Sequence, residues 1–563
     1  MSNDSREEYK LVQSKLKEMK PLFARMDEDE GLYLLKPFKM KKLGSSDDEK
    51  DVSNVTLNDP LLYAKKAIAI TGSYQRQTVI EGKDLTDKQT TKIEEFLDDV
   101  FYMVNELLPN RGIPSLEAFI NEQACIRGRI GARSAIELDG EGSIIPDVMP
   151  VDTRWFPLET GTDGMMWGAP ICSRSKTQIE REYPDFKTQL KDTGNKVIDF
   201  WNAEKELVFI EEKFAQEEVN SYKYPPFVIA KCPIGCMFNT EDAMKHDGES
   251  IFWPNRNLWK EKNETTTILK TLSRKALKGG LELQVTDPKQ ATKPELSPFQ
   301  EDVVIPTEKG GGFRQLPVND IKSATRLLYS IIETCLQRGE LTPLDYGTLA
   351  FPLSSVAILN LIAARNDIFA PILSMIASFY QGLSRMIIGQ CVQFDQTIKL
   401  GRPEGYNTYS PSDFAGEYSI KYHFFLITKE QTAADLSIAN AARGFLPDNY
   451  ILREVLKAQN PDGLEIELKS QQAEQTDEVL FLYRRARSLV DRDKPTLEEQ
   501  IEAYILTERI KTILKQRRNL GSLSPMEGKR EEEATPEGLL PMFTKGGGQG
   551  GIKTPKPEEV EGE

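Results

Sequence analysis

The chain has few of the residues on which nucleophilic or metal chemistry usually depends. It contains 2 histidines and 6 cysteines in 563 residues. Neither His246 nor His423 lies beside a nucleophile signature, and the sequence has no P-loop or dinucleotide-binding glycine pattern. This scarcity argues against Ser/His or Cys/His catalysis and against an ATP-driven motor within the chain. We therefore expect a protein that is not an enzyme and that needs no cofactor.

Long apolar runs are absent as well. The longest uncharged apolar stretch, residues 368–384, has 17 residues and contains Pro371. A membrane-spanning helix needs about 20 apolar residues, so this stretch predicts a buried helix and no membrane partner. The chain opens on a polar run and its cysteines are scattered. That pattern predicts neither a signal peptide nor a disulfide framework, and it favours the cytoplasm.

Two cysteines, Cys232 and Cys236, precede His246 and raise the question of a metal site. Structural zinc usually takes four ligands at closer paired spacings, so this pattern is more typical of two buried thiols. We expect no bound metal. A metal-dependent hydrolase built on these residues stays as an alternative, which stoichiometric metal in the purified protein would revive.

Acidic residues outnumber basic ones. The 87 aspartates and glutamates against 72 lysines and arginines give a formal net charge of −15. A general nucleic-acid binder needs clustered basic residues to displace counterions from phosphates, so any DNA contact must be local or weak. The same charge either keeps the protein soluble or lets a surface facing DNA repel it, and composition leaves both open.

The most informative part of the chain is residues 247–353. Helical spacing predicts a long helix that ends near Leu277 and is basic within an acidic protein. A stretch rich in glycine and proline follows, with short strand-like pieces, and a second helix is predicted over residues 320–336. A loop with two glycines and two prolines then closes on residues 351–353. Two long helices separated by an irregular insertion are typical of an elongated stalk.

The remaining sequence indicates mixed helix and sheet, so the predicted fold class is α+β. Residues 1–56 predict a charged segment with little core, and helical spacing prevails over residues 59–108, in two pieces that predict a small helical layer. The tail from Gly521 lacks apolar residues and is predicted to be disordered. The other predicted elements, in chain order, are a sheet over residues 133–158 and 196–212, a long helix over 354–390, strands over 396–400 and 418–428, and helices over 429–443, 449–459 and 475–520.

This order of elements resembles the portal proteins of tailed double-stranded DNA bacteriophages, the head-to-tail connectors through which the genome is packaged and ejected. The likeness covers about residues 57–490. Its motifs occur in the family's order: DVMPVD at 147–152, WFP at 155–157, YPPF at 224–227, GESI at 248–251, GGL at 279–281, GG at 311–312, LP at 316–317 and TAAD at 432–435, whose helix ends at 443–444.

The resemblance implies a portal fold assembled as a ring, with a mixed wing domain, a two-helix stem, a small α/β clip, a tunnel loop and a helical C-terminal crown region. The implied segments are a charged N-terminal segment (1–56), the wing (57–247), a descending stem helix (248–278), the clip (279–319), an ascending stem helix (320–338), the tunnel loop (339–353), the wing return (354–474), the crown region (475–520) and a disordered tail (521–563).

Three groups of site residues follow from the resemblance. The implied tunnel loop includes Gly339, Glu340, Leu341, Thr342, Pro343, Leu344, Asp345, Tyr346, Gly347 and Phe351. The implied stem sites are Arg256, Lys260, Lys270, Arg274, Lys275 and Leu328, and the implied clip sites are Gly280, Leu281, Val303, Gly311, Gly312 and Phe313.

The resemblance also implies partners and a location. The protein would form a ring of about twelve copies at the unique capsid vertex of the virion, after assembly in the host cytoplasm. Double-stranded DNA would pass through the channel with weak, sequence-independent contacts. The terminase large subunit, a head-completion or tail adaptor protein, and the major capsid and scaffolding proteins would be the other partners.

Physical chemistry adds two expectations and leaves alternatives open. A ring lined by basic residues would hold many phosphates at once, so we expect the basic stem residues to face away from the channel or toward carboxylates. We expect Leu328 on a packed apolar surface. A plain solvated helix face accounts equally for the basic residues, and the loop is equally consistent with an ordinary connection that buries Leu341, Leu344 and Phe351. The leading alternative function is another virion structural or adaptor protein, or an envelope protein, whose stalk is an interaction arm without a DNA channel.

Overall fold

The computed structural model of the chain describes residues 3–83, 85–138, 144–236, 238, 240–277, 281–284, 312–315, 323–342, 345–346, 355–395, 397–402, 405–426, 429–456, 458, 461–490 and 497–521. The predicted disordered tail after Gly521 lies outside these residues. The chain forms two units, Met1–Leu468 and Lys469–Glu563, which are described one at a time.

Two helices begin the first unit, α1 (Asn3–Glu18) and α2 (Lys20–Tyr33). The expectation that this segment adds little core is wrong. Val12 of α1 packs into the core of a sheet, and Leu22, Phe23 and Met26 of α2 are buried together. Their charged neighbours conceal an apolar face that repeats at helical spacing.

Helices and one strand form the next layer. They are α3 (Asp59–Gly72), β1 (Tyr74–Glu81), α4 (Asp87–Asn110) and α5 (Leu116–Arg127). The predicted helical layer of two pieces did not include β1, whose partner strand lies more than 300 residues away along the chain. Local signals do define α5: the Ser115 hydroxyl accepts a hydrogen bond from the Ala118 N–H, and Gly128 ends the helix with φ of 67°.

Two antiparallel sheets follow. The first has β2 (Arg129–Leu138) between β3 (Ile144–Val151) and β10 (Phe227–Lys231). The second has the order β4-β5-β7-β8-β9, with β6 beside β7, and helix α6 (Lys176–Glu182) connects β6 to β7. Its strands are β4 (Leu158–Gly161), β5 (Gly164–Gly168), β6 (Ile171–Arg174), β7 (Asn195–Asn202), β8 (Lys205–Ile210) and β9 (Lys213–Val219).

The long helix α9 (Ser355–Gln393) crosses the centre of this unit and lies against β2 and β10. Phe369, Phe379 and Leu383 are buried along it, as predicted for a core helix. Among the described residues, no helix is both long and apolar enough to cross a membrane. The elements between β10 and α9 are α7 (Arg256–Leu277), β11 (Leu281–Gln284), β12 (Gly312–Gln315) and α8 (Ser323–Gly339).

The chain after α9 returns to the core through β13 (Ile398–Arg402), β14 (Gly405–Tyr409) and β15 (Ser419–Leu426). β15 pairs with β1 in antiparallel register, and it also lies against α9. Helix α10 (Lys429–Ala442) follows as predicted, whereas the helix predicted over residues 449–459 is shorter and consists of α11 (Asp448–Tyr450) and a π-type turn at Ile451–Val455. Helix α12 (Pro461–Thr476) was not predicted, and the boundary between the two units falls within it.

The second unit contains a helical hairpin of α13 (Glu478–Val490) and α14 (Leu497–Gly521). Ion pairs from Arg485 to Glu502 at 3.0 Å and from Arg509 to Glu478 at 2.8 Å set their antiparallel register. Leu482, Leu489 and Ala503 are buried between the helices. Mixed helices and antiparallel sheets make the fold class α+β, as the sequence predicted.

Two carboxyl groups share one face of the second sheet. Asp199 in β7 lies opposite Val208 of β8, and Trp201 lies opposite Glu206, so Asp199 and Glu206 are diagonal neighbours. A cavity of about 340 Å³ borders Glu206. Burial raises the pKa of Asp199. Burial and the nearby Asp199 charge raise the pKa of Glu206 to about 8.

We predict that this pair makes the protein less stable as the pH rises from about 4 toward about 8. The folded state favours the protonated Glu206, so its contribution is complete below the ordinary carboxyl pKa and is lost as the pH rises through about 8. Urea unfolding measured across this range should show the decline. Glu206→Gln should flatten it and the exposed Glu217→Gln should not; an equally steep decline in Glu206→Gln would contradict the assignment.

Candidate stem and assembly site

The excursion predicted between residues 247 and 353 has its two arms side by side. Asn255 donates a hydrogen bond to the carbonyl of Leu336 at 3.1 Å, and Lys262 pairs with Glu333 at 3.7 Å. The start of α7 therefore lies beside the end of α8, and the two helices are antiparallel. Beyond them, β11 pairs with β12, with Leu283 opposite Phe313 and Gln284 opposite Gly312.

Helix α7 begins at Arg256, eight residues later than the predicted stem start at Gly248. The intervening residues form bends and turns, and two residues, Gly248 and Pro254, explain why the helix does not begin earlier. Gly248 has φ of 80°, in the left-handed region, and Pro254 disfavours helical backbone at the residue before it. We name this turn region together with the first turn of α7 the stem root.

Four buried charged side chains meet at the stem root, and we name Arg25, Asp29, Glu249 and Arg256 the root cluster. Arg256 donates two hydrogen bonds to Asp29, at 2.6 and 3.0 Å, and one to Glu249 at 2.7 Å. Arg25 reaches Glu249 at 3.1 Å and the Gly248 carbonyl at 2.6 Å. Two positive and two negative groups balance the charge inside the protein, which is the condition for burying them.

Neighbouring groups complete the hydrogen bonding of the root cluster. Ser250 donates to Asp29 at 2.8 Å, and His246 Nδ1 lies 2.5 Å from Glu249. Burial alone would lower the pKa of Arg256, but hydrogen bonds to the two carboxylates outweigh it and raise that pKa. Burial alone would raise the pKa of Glu249, but the arginines outweigh it and leave that pKa below its ordinary value. These two shifts favour the charged forms of Arg256 and Glu249, whereas burial lowers the pKa of Arg25 and raises the pKa of Asp29.

Gly128 shows how closely the root is packed against the sheet domain. A Cβ atom at this position would lie 2.4 Å from the carbonyl oxygen of Glu249, and φ is 67°. Arg25 also donates to the carbonyl of Arg127 at 3.0 Å. The end of α5, helix α2 and the stem root are thus held at one point.

The described part of the predicted tunnel loop is anchored at both ends. Glu340 accepts a hydrogen bond from the Trp259 indole at 2.9 Å, and Leu341 is buried. The hydroxyl of Thr342 donates to Asp345 at 2.7 Å, and Arg365 of α9 pairs with Asp345 at 3.0 Å.

Gly339 and Tyr346 adjoin these anchors. A Cβ at Gly339 would lie 2.4 Å from the Asn255 side-chain oxygen, so this position needs glycine for close approach. Tyr346 borders an open pocket of about 660 Å³ with Lys65 and Lys66. Four predicted loop residues lie outside the described part of the chain: Pro343, Leu344, Gly347 and Phe351.

The basic residues of α7 are used in different ways. Arg256 is buried in the root cluster, and Lys262 pairs with Asp59 at 3.0 Å. Arg274 donates to the Ser53 hydroxyl at 2.6 Å, while Lys260 and Lys270 are exposed. A uniformly solvated basic face is therefore wrong for this helix. Lys275 belongs to α7 but nothing of its side chain is described.

Helix α8 carries an exposed apolar stripe. Leu327, Leu328 and Ile331 are 63, 50 and 51 % exposed, whereas Ile332 and Leu336, at the adjoining edge of the helix, are buried. Leu328 is therefore half exposed in the single chain, and the expectation that it lies on a packed apolar surface stays a prediction about assembly. We name Leu327, Leu328 and Ile331 the α8 stripe.

The remaining sequence-predicted residues are placed as follows. Leu281 lies in β11, and Gly312 and Phe313 lie in β12, while Gly280, Val303 and Gly311 fall outside the described residues. Cys232 is buried, and burial raises its pKa to about 11. Cys236 is only half-buried, so the prediction of two buried thiols is wrong for it. Within the described residues, no three His, Cys, Asp or Glu side chains are placed to hold a metal ion.

Sequence reasoning missed Arg25, Asp29 and Glu249. A signal was present in α2, where Leu22, Arg25, Met26 and Asp29 repeat at i, i+3, i+4 and i+7 and so lie on one face. All four are buried. A charged pair inside an otherwise apolar helical stripe indicates a buried ionic contact.

Comparisons with known proteins give little further guidance. No protein-family model and no curated protein matches the chain. Among solved structures, the fold is similar to a chain from the "Neck of empty GTA particle computed with C6 symmetry", with a TM-score of 0.34 and 11 % identity. The match covers 70 % of this chain and 89 % of that chain.

We predict that Asp29→Ala lowers the unfolding free energy by about 3–5 kcal/mol, because it leaves two buried guanidinium groups with one carboxylate. Asp27→Ala is the matched control on the same helix. Its carboxylate pairs with Arg154 but is 47 % exposed, so its loss should cost less than about 1 kcal/mol. Denaturant unfolding of both variants measures the difference, and equal costs would show that the root cluster adds no special stability.

Proposed function

We propose that the chain is a portal protein, a subunit of a ring that joins head to tail in a virion and conducts double-stranded DNA during packaging, retention and ejection. The observation that carries the proposal is the out-and-back excursion. α7 leaves the sheet domain, β11 and β12 pair beyond it, and α8 returns to a loop anchored at Trp259 and Arg365. A stem, a clip and a loop held at its base are the parts that such a conduit needs.

The α8 stripe supports assembly into a ring. Three large apolar side chains on one helix face are exposed in the single chain, and neighbouring copies related by rotation would cover them. The α13–α14 hairpin also exposes large apolar side chains that a neighbouring copy would cover, because Phe481, Tyr504 and Ile505 are more than half exposed. Such a hairpin fits the crown region implied by the resemblance.

Charge placement supports weak contact with DNA. Arg256 and Lys262 are occupied by carboxylates, which removes two of the strongest potential phosphate contacts from α7. Lys260 and Lys270 remain exposed and are available for transient contacts. A chain of net charge −15 in which Arg256 and Lys262 of α7 are paired with carboxylates would let DNA slide.

The partners follow from the proposed role. The clip would meet a head-completion or tail adaptor protein and the terminase large subunit, which would supply the motor. The wing would meet major capsid and scaffolding proteins at the capsid vertex. The role itself requires no catalytic residue and no cofactor.

Single-particle electron microscopy of the purified full-length protein tests the proposal. We predict rings of about twelve copies with an open axis. Leu328→Asp should give folded single subunits, because position 328 is half exposed in the chain but would place an unpaired charge in the subunit interface, at a cost of several kcal/mol.

Leu43→Asp is the control for that variant, since Leu43 is fully exposed and lies far from α8 in sequence. It should form rings like the unaltered protein. Closed particles without an axial channel would favour the alternative of a stalked structural protein. Rings formed normally by Leu328→Asp would place the α8 stripe on a solvated surface.

We predict that deleting residues 347–350 leaves the ring intact but lowers the amount of nuclease-protected DNA per particle. The deletion spares Glu340, Leu341 and Asp345, whose contacts belong to the core. A deletion of residues 340–350 would remove those anchors and destabilise the fold. Replacing 347–350 with glycine and serine keeps the length, so comparing the two variants separates a need for loop length from a need for particular side chains. Loss of the ring in the short deletion would assign the loop to the core instead.

A further inference from the structure

An extended stretch of chain runs along α7 and bonds to it in an unusual way. The backbone N–H groups of Ser53, Val55 and Leu57 donate to side-chain oxygens of α7. The acceptors are Thr271 at 2.9 Å, Thr267 at 3.0 Å and Asn263 at 2.9 Å, in that order. All three acceptor side chains are buried. The stretch is therefore antiparallel to the helix.

The spacing of donors and acceptors explains why this contact forms. Acceptors four residues apart on a helix rise by about 6.0 Å, and alternate residues of an extended chain advance by about 6.6–6.8 Å. The helix rise and the advance of the extended chain agree closely enough for three successive N–H groups to bond to three successive side chains. Helix backbone groups are already paired within the helix, so side-chain oxygens are the acceptors that α7 can offer.

The other edge of the stretch is also bonded. Thr56 accepts from the Phe38 N–H at 2.8 Å, and Asn54 accepts from the Met40 N–H at 3.0 Å. Odd-numbered residues thus face α7 and even-numbered residues face the incoming chain. Asp59, two residues beyond Leu57, pairs with Lys262.

Only one alignment of the stretch on α7 gives all three bonds. A shift by one repeat would bring a donor opposite Trp259 or Lys275, the next positions at four-residue spacing. Indole and ammonium groups donate hydrogen bonds and do not accept them. The side chains at both ends of the ladder therefore exclude the neighbouring alignments.

We propose that residues 53–57 and the side chains of Asn263, Thr267 and Thr271 form a latch that fixes the far half of α7, and that the latch opens while the stem root stays closed. The proposal rests on the proposed function, in which α7 is a stem helix. It adds a contact that controls whether the far half of this helix is held in place. The latch is polar, so opening it exposes hydroxyl and amide groups that water can satisfy. Opening the root cluster would instead part α2, the end of α5 and α7 at once, because Arg25 and Arg256 bond across them.

Hydrogen exchange of the full chain, followed by mass spectrometry, tests the latch. Thr267→Val removes the central acceptor and nearly preserves the side-chain shape. We predict that amides of residues 53–57 and of the far half of α7, residues 264–277, exchange at least about tenfold faster, while residues 256–263 keep their protection. Val55→Pro removes the central donor and should give the same pattern.

Thr266→Val is the matched control, because the Thr266 hydroxyl bonds within its own helix to the Lys262 carbonyl at 2.7 Å. It should leave exchange of residues 53–57 unchanged. Unchanged exchange in Thr267→Val, or an equal increase in Thr266→Val, would overturn the latch. Because the variants are compared in the same assembly state, this failure is distinct from a failure of the proposed function, which closed particles in microscopy would reveal.

Discussion

The pairing of Arg256 with Asp29 and Glu249 is the contact on which the direction of the stem depends. It joins the first residue of α7 to a helix 227 residues earlier and to the turn just before it. Because the charges are buried, each guanidinium and carboxylate must keep its partners, and only a narrow range of α7 orientations allows that. Gly128 adds a steric limit, since any side chain there would collide with Glu249. The stem root is therefore fixed by electrostatics and by close backbone packing together.

The sequence predicted those elements whose signals are local. α9, α10, α14 and the strands β2, β3, β7, β8, β13 and β15 have local apolar patterns, and their bounds lie within a few residues of expectation, whereas β5, β6, β9, β10 and β14 were not individually predicted. β1 was missed because its sequence, YQRQTVIE, mixes polar and apolar residues without a clear alternation, and its pairing with the distant β15 makes it a strand. The N-terminal helices were undervalued because their charge masked an apolar face. Both errors arise where distant contacts decide the outcome.

The candidate site was predictable as a set of segments more than as a set of residues. Arg256 was expected to face away from the channel or toward carboxylates, or to lie on a solvated face, and the structure buries it against Asp29 and Glu249. Leu341 was named within the implied tunnel loop, and its burial matches the alternative of an ordinary connection that buries it. Leu328 was expected on a packed apolar surface, and it is half exposed in the single chain. Periodicity gives the apolar face of a helix but not which partner covers it, and for Leu328 that partner is another molecule in the proposed ring.

The three contacts that hold the α7–α8 pair differ in kind, and this difference orders their strength. Buried ion pairs fix the root, and polar bonds to Ser53, Val55 and Leu57 support the far half of α7, while the α8 stripe is exposed in the single chain. Opening the root would part α2, the end of α5 and α7 at once, because Arg25 and Arg256 bond across them, whereas the hydroxyl and amide bonds of the far half exchange readily with water. Motion of the stem should therefore begin at its far half, toward the clip, while its root and the anchored loop keep their positions.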